Sequence, residues 1–301
     1  MLPMPIIDAH HHFWDLSLNK HPWLIGKKQI NNFRYGDYSA ICRNYLLDNY
    51  KNDWSNHKVV KSVYVETEWD PSDPIGESRW IQNYYDQNGF PNALVSQVWF
   101  ESEDIDSVLS GHKQFSLSRS VRQKPQSCIS FDKFQAGLPG SMGDPSFRSG
   151  YKYLSKYRLH FDLQTPWWHL GEASALARDF SDTLIILNHT GLPSDRTKLG
   201  LDRWRSAMQE FAAQPNTAVK ISGIGVADTP WNIEENEVII RDTINIFGAN
   251  RCMFGSNFPV DGLCDSFDTI FQNFRRAVSG LSIVDQSALF HNNAQKFYTP
   301  L

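Results

Sequence analysis

Short apolar runs recur along the chain, and each of them ends close to a polar residue. Several are apolar throughout, such as residues 184–187, and this is typical of a parallel strand that is buried on both faces. On this pattern we predict eight strands: Ile6–His10, Val59–Glu66, Ala93–Phe100, Ser118–Arg122, Leu159–Gln164, Thr183–His189, Ala218–Ser222 and Cys252–Asn257.

Apolar residues at helical spacing fill most of the intervals between these strands. The predicted helices are Ser39–Tyr50, Ser78–Gln87, Asp144 to about Tyr157, His169–Phe180, Asp202–Ala213, Glu234–Phe247, Phe267–Val278 and Val284–Phe297. Strands that alternate with helices predict an α/β fold, a (β/α)8 or TIM barrel. We expect one domain over residues 1–301, with a long first connection at about 13–58. The alternative is an open doubly wound sheet, but histidines and aromatics follow the first strand where that fold usually has a glycine-rich turn.

Composition narrows the classes of partner. Of 301 residues, 41% are apolar and 21% are charged, which is ordinary for a globular protein. The net charge of -4 and the lack of a basic block argue against nucleic acid as a partner, and no apolar run is long enough to span a membrane. The four cysteines are scattered and Met1–Ile7 does not look like a leader peptide, so we expect a cytoplasmic protein. The many aromatics are compatible with a homodimer.

Polar residues stand at the ends of the predicted strands, and a parallel barrel gathers those ends on one rim. The set comprises His10, His12, Glu66, Arg122, Asp162, Gln164, His189, Lys220 and Asn257. His10 and His12 alternate with His11 along the first strand, so both point to the same face. Two such imidazoles could bind one divalent ion, zinc or manganese, or could hydrogen-bond a substrate carbonyl without a metal.

The other members of the set suggest a site for a small, anionic or polyhydroxylated substrate. His189 is a candidate to polarise a carbonyl group or to transfer a proton. Arg122 and Lys220 either pair with Glu66 and Asp162 for structural reasons or bind a substrate carboxylate. The indoles of Trp14, Trp69 and Trp167 are candidate walls of the pocket.

The chain resembles the amidohydrolase superfamily, in its amidohydrolase-2 or lactonase-like branch. The resemblance rests on five segments spread over nearly the whole chain: residues 8–15 (DAHHHFWD), 186–193 (ILNHTGLP), 219–223 (VKISG), 253–260 (MFGSNFPV) and 291–298 (HNNAQKFY). It implies a (β/α)8 barrel and hydrolysis at a carbonyl carbon, most specifically ring opening of a sugar-acid lactone. It also implies that His10 and His12 form the first-strand pair and that His189 is the sixth-strand histidine, with one divalent ion in some members and none in others.

One departure from the branch bears on mechanism. Its eighth strand usually carries an aspartate that acts as a general base, whereas this chain has Asn257. An amide cannot take up a proton at neutral pH, although it can orient water or a hydroxyl group. Glu66, Asp162 or His189 would then activate water, with Asp162, His189 and Asn257 as the catalytic candidates. Two further hypotheses are a metal-dependent decarboxylase and an inactive barrel that only binds an acidic ligand.

Overall fold

Eight parallel strands pair in chain order around a barrel. The computed structural model describes residues 4–28, 30–31, 33–227 and 229–301. The strands are β1 (Ile6–His11), β2 (Val59–Val65), β3 (Ala93–Gln97), β4 (Ser118–Gln123), β5 (His160–Leu163), β6 (Ile185–Leu187), β7 (Thr217–Ile221) and β8 (Cys252–Phe254). Backbone hydrogen bonds close the ring just beyond β8, from Asn257 N to His10 O at 2.7 Å and from His12 N to Phe258 O at 2.8 Å. The predicted (β/α)8 barrel is therefore confirmed.

Helices surround the barrel. They are α1 (Leu47–Asp53), α2 (Gly76–Asn88), α3 (Ile105–Lys113), α4 (Pro145–Tyr151), α5 (Tyr153–Tyr157), α6 (Leu170–Asp179), α7 (Lys198–Ala212), α8 (Ile233–Phe247), α9 (Phe267–Ala277), α10 (Ile283–Ser287) and α11 (Asn293–Tyr298), with a π-helical turn at Ala288–Asn292. None of the described helices is both long and apolar enough to cross a membrane.

The helix predictions differ from the structure at several places. The segment predicted as one helix over Ser39–Tyr50 forms only a short turn and then pairs Tyr45 with Trp14 through two backbone hydrogen bonds of 2.9 Å, so that α1 starts later. The helix α3 was not predicted. The predicted helix from Asp144 to Tyr157 is interrupted at Lys152, although Asp144 does cap its start by accepting a hydrogen bond from the amide of Ser146.

Three strands end two or three residues earlier than the apolar pattern predicts, and this matters for the site. β3 ends at Gln97, β6 at Leu187 and β8 at Phe254. After β6 and β8 the backbone enters the left-handed region, with φ of 55° at both His189 and Asn257. Hydrophobicity reports which residues are buried, not where φ changes sign, so the pattern extends through residues that have already left the sheet.

The core has two layers. Small and branched side chains fill the inside of the barrel: Ile7, Ala9, Val63, Val65, Ala93, Val95, Ile186, Ala218 and Met253. A larger layer lies between the strands and the helices. Along β4, β5 and β7 the inward positions nearer the carboxyl ends carry Arg122, Asp162 and Lys220 instead of apolar residues, all of them buried. The inside of the barrel therefore changes from apolar to charged towards one end.

Candidate active site

A cavity of about 390 Å³ opens at the carboxyl ends of the strands. The long first connection after β1 and the segments at the ends of β2, β4, β5, β6 and β8 line it: His12, Trp14, Trp23, Ile30, Phe33, Arg34, Glu66, Thr67, Glu68, Arg122, Lys124, Gln164, His189, Leu192, Asn257 and Val260. Cavities at this end of a barrel are where enzymes of the fold place their chemistry.

Three buried imidazoles meet beneath the mouth of this cavity. The ring centroid of His10 lies 5.0 Å from that of His12 and 4.6 Å from that of His189. Burial is the largest cause that lowers the pKa of each ring well below its usual value, and the nearby positive charges of Lys220, Arg122 and Arg34 lower it further. All three histidines are therefore neutral at physiological pH.

His12, Asn257 and Asp261 lie next to one another at the edge of the cavity. His12 Nδ1 donates to the backbone oxygen of Val65 at 2.8 Å, so that in the neutral ring Nε2 carries a lone pair. This Nε2 lies 3.2 Å from Asn257 Oδ1, and Asn257 Nδ2 donates to Asp261 Oδ1 at 2.6 Å. Two acceptor atoms of His12 and Asn257 thus lie side by side at the edge of the cavity.

His189 is held in place by its own backbone and by Ser222. Its Nδ1 lies 2.9 Å from Ser222 Oγ, which leaves Nε2 as the ring nitrogen available to a bound molecule. The neighbouring Gly223 has φ of 57°, and a Cβ atom there would lie only 2.5 Å from His189 Nδ1. Glycine is therefore required at position 223 for the imidazole to occupy this place.

Arg122 is fixed by contacts on three sides. Its Nε donates to Glu66 Oε1, one terminal nitrogen donates to the backbone oxygen of Glu66 at 2.7 Å, and the other donates to Gln164 Oε1 at 3.1 Å. The remaining carboxylate oxygen of Glu66 accepts the amide hydrogen of Glu68 at 2.7 Å. This ion pair is buried, yet both of its members line the cavity.

Asp162 and Lys220 lie one layer deeper and do not line the cavity. Lys220 Nζ is 2.6 Å from Asp162 Oδ1, and both side chains are fully buried. Asp162 also accepts hydrogen bonds from Asn188 Nδ2 and, with both oxygens, from Tyr298 of α11, each at 2.9 Å. Although burial opposes ionisation, Lys220 and these donors lower the pKa of Asp162, so its carboxylate is charged and fully engaged.

Comparisons with known proteins agree with this architecture. The family model described as amidohydrolase matches residues 111–299. The uncharacterized protein y4mH of Sinorhizobium fredii is 39% identical over 298 residues, which cover 99% of each chain. This chain belongs to the amidohydrolase family. It is accordingly an enzyme, a hydrolase.

Two further relatives of this amidohydrolase come from Burkholderia multivorans. A protein named L-fucono-1,5-lactonase is 29% identical, with 97% of this chain and 95% of the relative covered. A solved amidohydrolase is 23% identical in a crystal with bound HEPES, with a TM-score of 0.81, and 22% identical in a crystal with bound zinc, with a TM-score of 0.80. In both crystals 98% of this chain and 99% of the solved chain are covered, and at this identity the likeness concerns the fold.

The side chains around His10 are candidate ligands for a divalent ion. Both ring nitrogens of His10 are buried without a hydrogen-bond partner in the described ranges, and the facing acceptors of His12 and Asn257 also suit a cation. However, no three His, Cys, Asp or Glu side chains in the described parts of the chain are placed to hold one metal ion. Asn257 is an amide rather than one of the usual zinc ligands, so His10 and His12 alone leave the donor set of this amidohydrolase incomplete, because protein zinc sites use at least three His, Cys, Asp or Glu ligands.

The predicted tryptophan walls lie in three different places. Trp14 lines the cavity at the end of β1. Trp69 lines an adjoining cavity of about 290 Å³ rather than the first one. Trp167 lines neither of these two cavities and stacks on Phe131 with ring centroids 5.2 Å apart. Neither Trp69 nor Trp167 lines the first cavity, so their positions do not support a substrate-binding role there. These roles stay predictions.

Two residues at the site were missed by sequence reasoning. Arg34 comes from the long first connection and donates to the backbone oxygen of Gly223 at 2.9 Å, and no spacing along the sequence points to it. Asp261 is fully buried and accepts hydrogen bonds from Tyr35, Asn257 and the amide of Gly223. Its signal in the sequence is weak: it is a lone acid, one residue past the segment that resembles the family.

Proposed function

We propose that this amidohydrolase hydrolyses a sugar-acid lactone, an aldono- or aldarolactone, to the open-chain hydroxy acid. The observation that carries the proposal is a single cavity lined by the neutral imidazole of His189, by the cations Arg122 and Arg34, and by the indoles of Trp14 and Trp23. Indoles suit the apolar face of a sugar ring, and cations suit its oxygens and carboxylate. The similarity to proteins named L-fucono-1,5-lactonase supports the same substrate class.

In the proposed reaction His189 is the general base. Its Nε2 takes a proton from water while the water oxygen bonds to the lactone carbonyl carbon. The carbonyl oxygen gains negative charge, which the guanidinium of Arg122 stabilises. The bond between the carbonyl carbon and the ring oxygen then breaks, and the proton on His189 passes to the ring oxygen. The product is one carboxylate and one hydroxyl group, so that a second proton leaves to solvent.

His189 is favoured over the other candidate bases by its contacts. Asp162 lies below the cavity and is engaged by Lys220, Asn188 and Tyr298. Glu66 lines the cavity, but its two oxygens accept from Arg122 and from the amide of Glu68. His189 has one ring nitrogen occupied by Ser222 and the other at the cavity. Asn257 is assigned to orienting water or a substrate hydroxyl.

The test is a pH-indicator assay on a panel of aldono- and aldarolactones, with His189→Asn as the variant. We expect the variant to lower kcat by about a hundredfold or more, the usual contribution of a positioned general base. Ser222→Ala is the matched control, because it removes only the contact that orients the ring and should cost less. Turnover by neither wild type nor variant, with retained binding of an acidic sugar, would instead favour a barrel that only binds its ligand.

The binding of a divalent ion by His10 and His12 stays a prediction, and it has a direct test. Elemental analysis of the purified protein, with turnover measured before and after chelation, decides it. Stoichiometric zinc or manganese that is lost in a His10→Ala variant would support the prediction. Protein that holds no stoichiometric metal, with turnover that chelation does not change, would contradict it and would leave Arg122 and the imidazoles as the groups that polarise the carbonyl.

A further inference from the structure

A second cavity of about 290 Å³ adjoins the first one and has no role in the proposed reaction. It lies over the carboxyl ends of β2, β3 and β4, on the side away from His189 and Asn257. Both cavities are lined by the same five residues, Trp23, Glu66, Glu68, Arg122 and Lys124, which therefore form their common wall. The two cavities therefore border each other at these residues.

Within the common wall, Glu68 has an unusual backbone conformation and forms an ion pair with Lys124. Glu68 has φ of 54°, a left-handed conformation that is unusual for a residue with a side chain. Its carboxylate pairs with Lys124 from the loop after β4, and this charge is the largest cause that lowers the pKa of Glu68. An ion pair thus joins the loops after β2 and β4 at the boundary between the two cavities. Strained backbone that is held by such contacts is characteristic of binding sites.

The far side of the second cavity carries groups that suit a sugar ring. Trp99 is partly exposed and lines the cavity, and no aromatic ring packs against it within the described ranges. Trp69 and Gln97 also line it, and Trp69 Nε1 and Gln97 Oε1 are buried with no hydrogen-bond partner in the described parts of the chain. One is a donor and the other an acceptor, and a sugar hydroxyl can satisfy both. The ammonium of Lys28 adds a further donor at the edge.

We propose that the second cavity is a subsite for a second sugar ring, so that the preferred substrates are lactones that carry a glycosyl substituent. This inference rests on the proposed lactonase function. The lactone ring occupies the first cavity near His189, and the glycosyl ring lies against the indole of Trp99. Lys28 and the polar groups of Trp69 and Gln97 bind its hydroxyls.

The experiment compares glucono-1,5-lactone with cellobiono- and maltobiono-1,5-lactone, together with matched pairs from other hexoses. Wild type should show the higher kcat/KM on the glycosylated member of a pair. Trp99→Ala should reduce that value by about tenfold, which is the size expected for a lost ring contact, and should change the value for the single-ring lactone less than twofold. Trp99→Phe, which keeps an aromatic face, should retain most of the preference. Lys28→Ala, an exposed change that leaves the fold intact, should lower the same kcat/KM selectively.

The possible results test the subsite independently of the proposed lactonase function. Turnover of single-ring lactones with no preference for glycosylated ones, and no selective effect of Trp99→Ala, would overturn the subsite and leave the lactonase proposal intact. If no lactone is turned over, calorimetric titration with cellobionate and gluconate decides the subsite without activity. Tighter binding of cellobionate that Trp99→Ala abolishes would support it, and equal or absent binding would overturn it.

Discussion

At the scale of single residues, the amide of Asn257 stands where the branch that the chain resembles usually has an aspartate, and it pairs with the carboxylate of Asp261. Asn257 presents an oxygen to His12, while its nitrogen donates to Asp261 at 2.6 Å. Burial raises the pKa of Asp261, whereas Arg34, Tyr35 and the amide of Gly223 favour its charged form. The carboxyl group of Asp261 thus lies behind the cavity wall, and the group that lines the cavity is the neutral amide of Asn257.

This arrangement predicts that Asn257→Asp is harmful although it restores the family's usual residue. The new carboxylate would lie beside that of Asp261, and like charges at such a distance cannot both be ionised without cost. We expect the free energy of unfolding to fall by about 1–3 kcal/mol at pH 8, with lower turnover. The loss should shrink towards pH 4, where one of the two carboxyls holds a proton. Urea unfolding at both pH values measures it.

The matched control exchanges the two groups. The double variant Asn257→Asp with Asp261→Asn again has one carboxylate and one amide at this contact, so most of the lost stability should return. A single Asn257→Asp variant that is as stable as wild type and more active would show that position 257 merely lacks its base. That result would contradict the predicted repulsion between carboxylates at positions 257 and 261.

At the scale of elements, Glu77 joins the first turn of α2 to the end of β2. Its Oε1 accepts hydrogen bonds from the hydroxyl of Tyr64 at 2.7 Å and from the amide and hydroxyl of Thr67 at 2.8 and 2.7 Å. Its Oε2 is buried without a partner among the described residues. Burial and then the nearby charge of Glu66 raise the pKa of Glu77 to about 7.

We therefore predict that Glu77 makes the fold less stable at alkaline pH. In the unfolded chain this carboxyl loses its proton near pH 4.5, but in the folded chain it keeps the proton up to about pH 7. Stability should fall as the pH rises from about 5 to 8, by about 1–3 kcal/mol. Glu77→Gln, which resembles the protonated acid, should flatten this dependence, as measured by urea unfolding at each pH. Parallel stability curves for variant and wild type would contradict the raised pKa.

The loop between β4 and α4 is attached to α6 through one histidine. His169 Nε2 accepts the amide hydrogen of Cys128 at 2.9 Å, and its Nδ1 donates to Glu172 Oε2 at 2.9 Å. The other oxygen of Glu172 accepts from the amide of Gly137 at 2.7 Å and from Ser141. Glycine, proline and serine along this loop suggest mobility, but these contacts hold it at both ends.

Removal of the imidazole should release the loop without unfolding the barrel. In His169→Ala we expect faster cleavage by proteases within residues 124–139, with the thermal midpoint changed by only a few degrees. Limited proteolysis followed by mass spectrometry locates the cut. His169→Asn, which keeps a polar side chain, is the milder control. Unchanged cleavage in both variants would mean that the other contacts, those of Glu172 with Gly137 and Ser141 and that of Phe131 with Trp167, hold the loop without the imidazole.

At the scale of the whole molecule, the alternation of apolar runs and helical segments was sufficient to predict the barrel. Parallel strands in a closed ring must place their carboxyl ends together, and so the sequence alone assigns His12, Arg122, His189 and Asn257 to one rim. The pattern gives the face of a residue but not its depth. Asp162 therefore looked like a rim residue, whereas it lies a layer below the cavity.

What could not be predicted depends on contacts between distant parts of the chain. Arg34 reaches the site from an irregular segment whose path follows from packing against β7 rather than from any period in the sequence. The helix α3 buries only Ile105, Val108, Leu109 and His112. Its apolar face is therefore short, and the spacing of its apolar residues does not predict a helix clearly. The second cavity arises only where the loops after three strands meet the first connection.

Closure of the barrel gives the last prediction, and it concerns the buried Asp8 of β1. Asp8 Oδ1 accepts the amide hydrogen of Ser256, just beyond β8, at 2.8 Å. Its Oδ2 accepts from the hydroxyl of Ser256 and from that of Tyr50 in α1, each at 2.6 Å. A single carboxylate thus ties the first strand to the last one and to the first helix. Asp8 precedes His10 and His12 in the sequence but does not line the cavity, and these contacts explain its presence.

We expect Asp8→Ala to reduce the free energy of unfolding by about 3–5 kcal/mol, because it leaves buried donors on both sides of the seam without an acceptor. Tyr50→Phe removes one of these donors and should cost about 1 kcal/mol. The loss in Asp8→Asn should lie between those of Asp8→Ala and Tyr50→Phe, because the amide oxygen can still accept a hydrogen bond from the amide of Ser256. Guanidinium unfolding followed by circular dichroism gives these values. Hydrogen exchange at the amides of His12 and Asn257 reports the seam itself, and protection there that is unchanged in Asp8→Ala would show that the backbone alone closes the barrel.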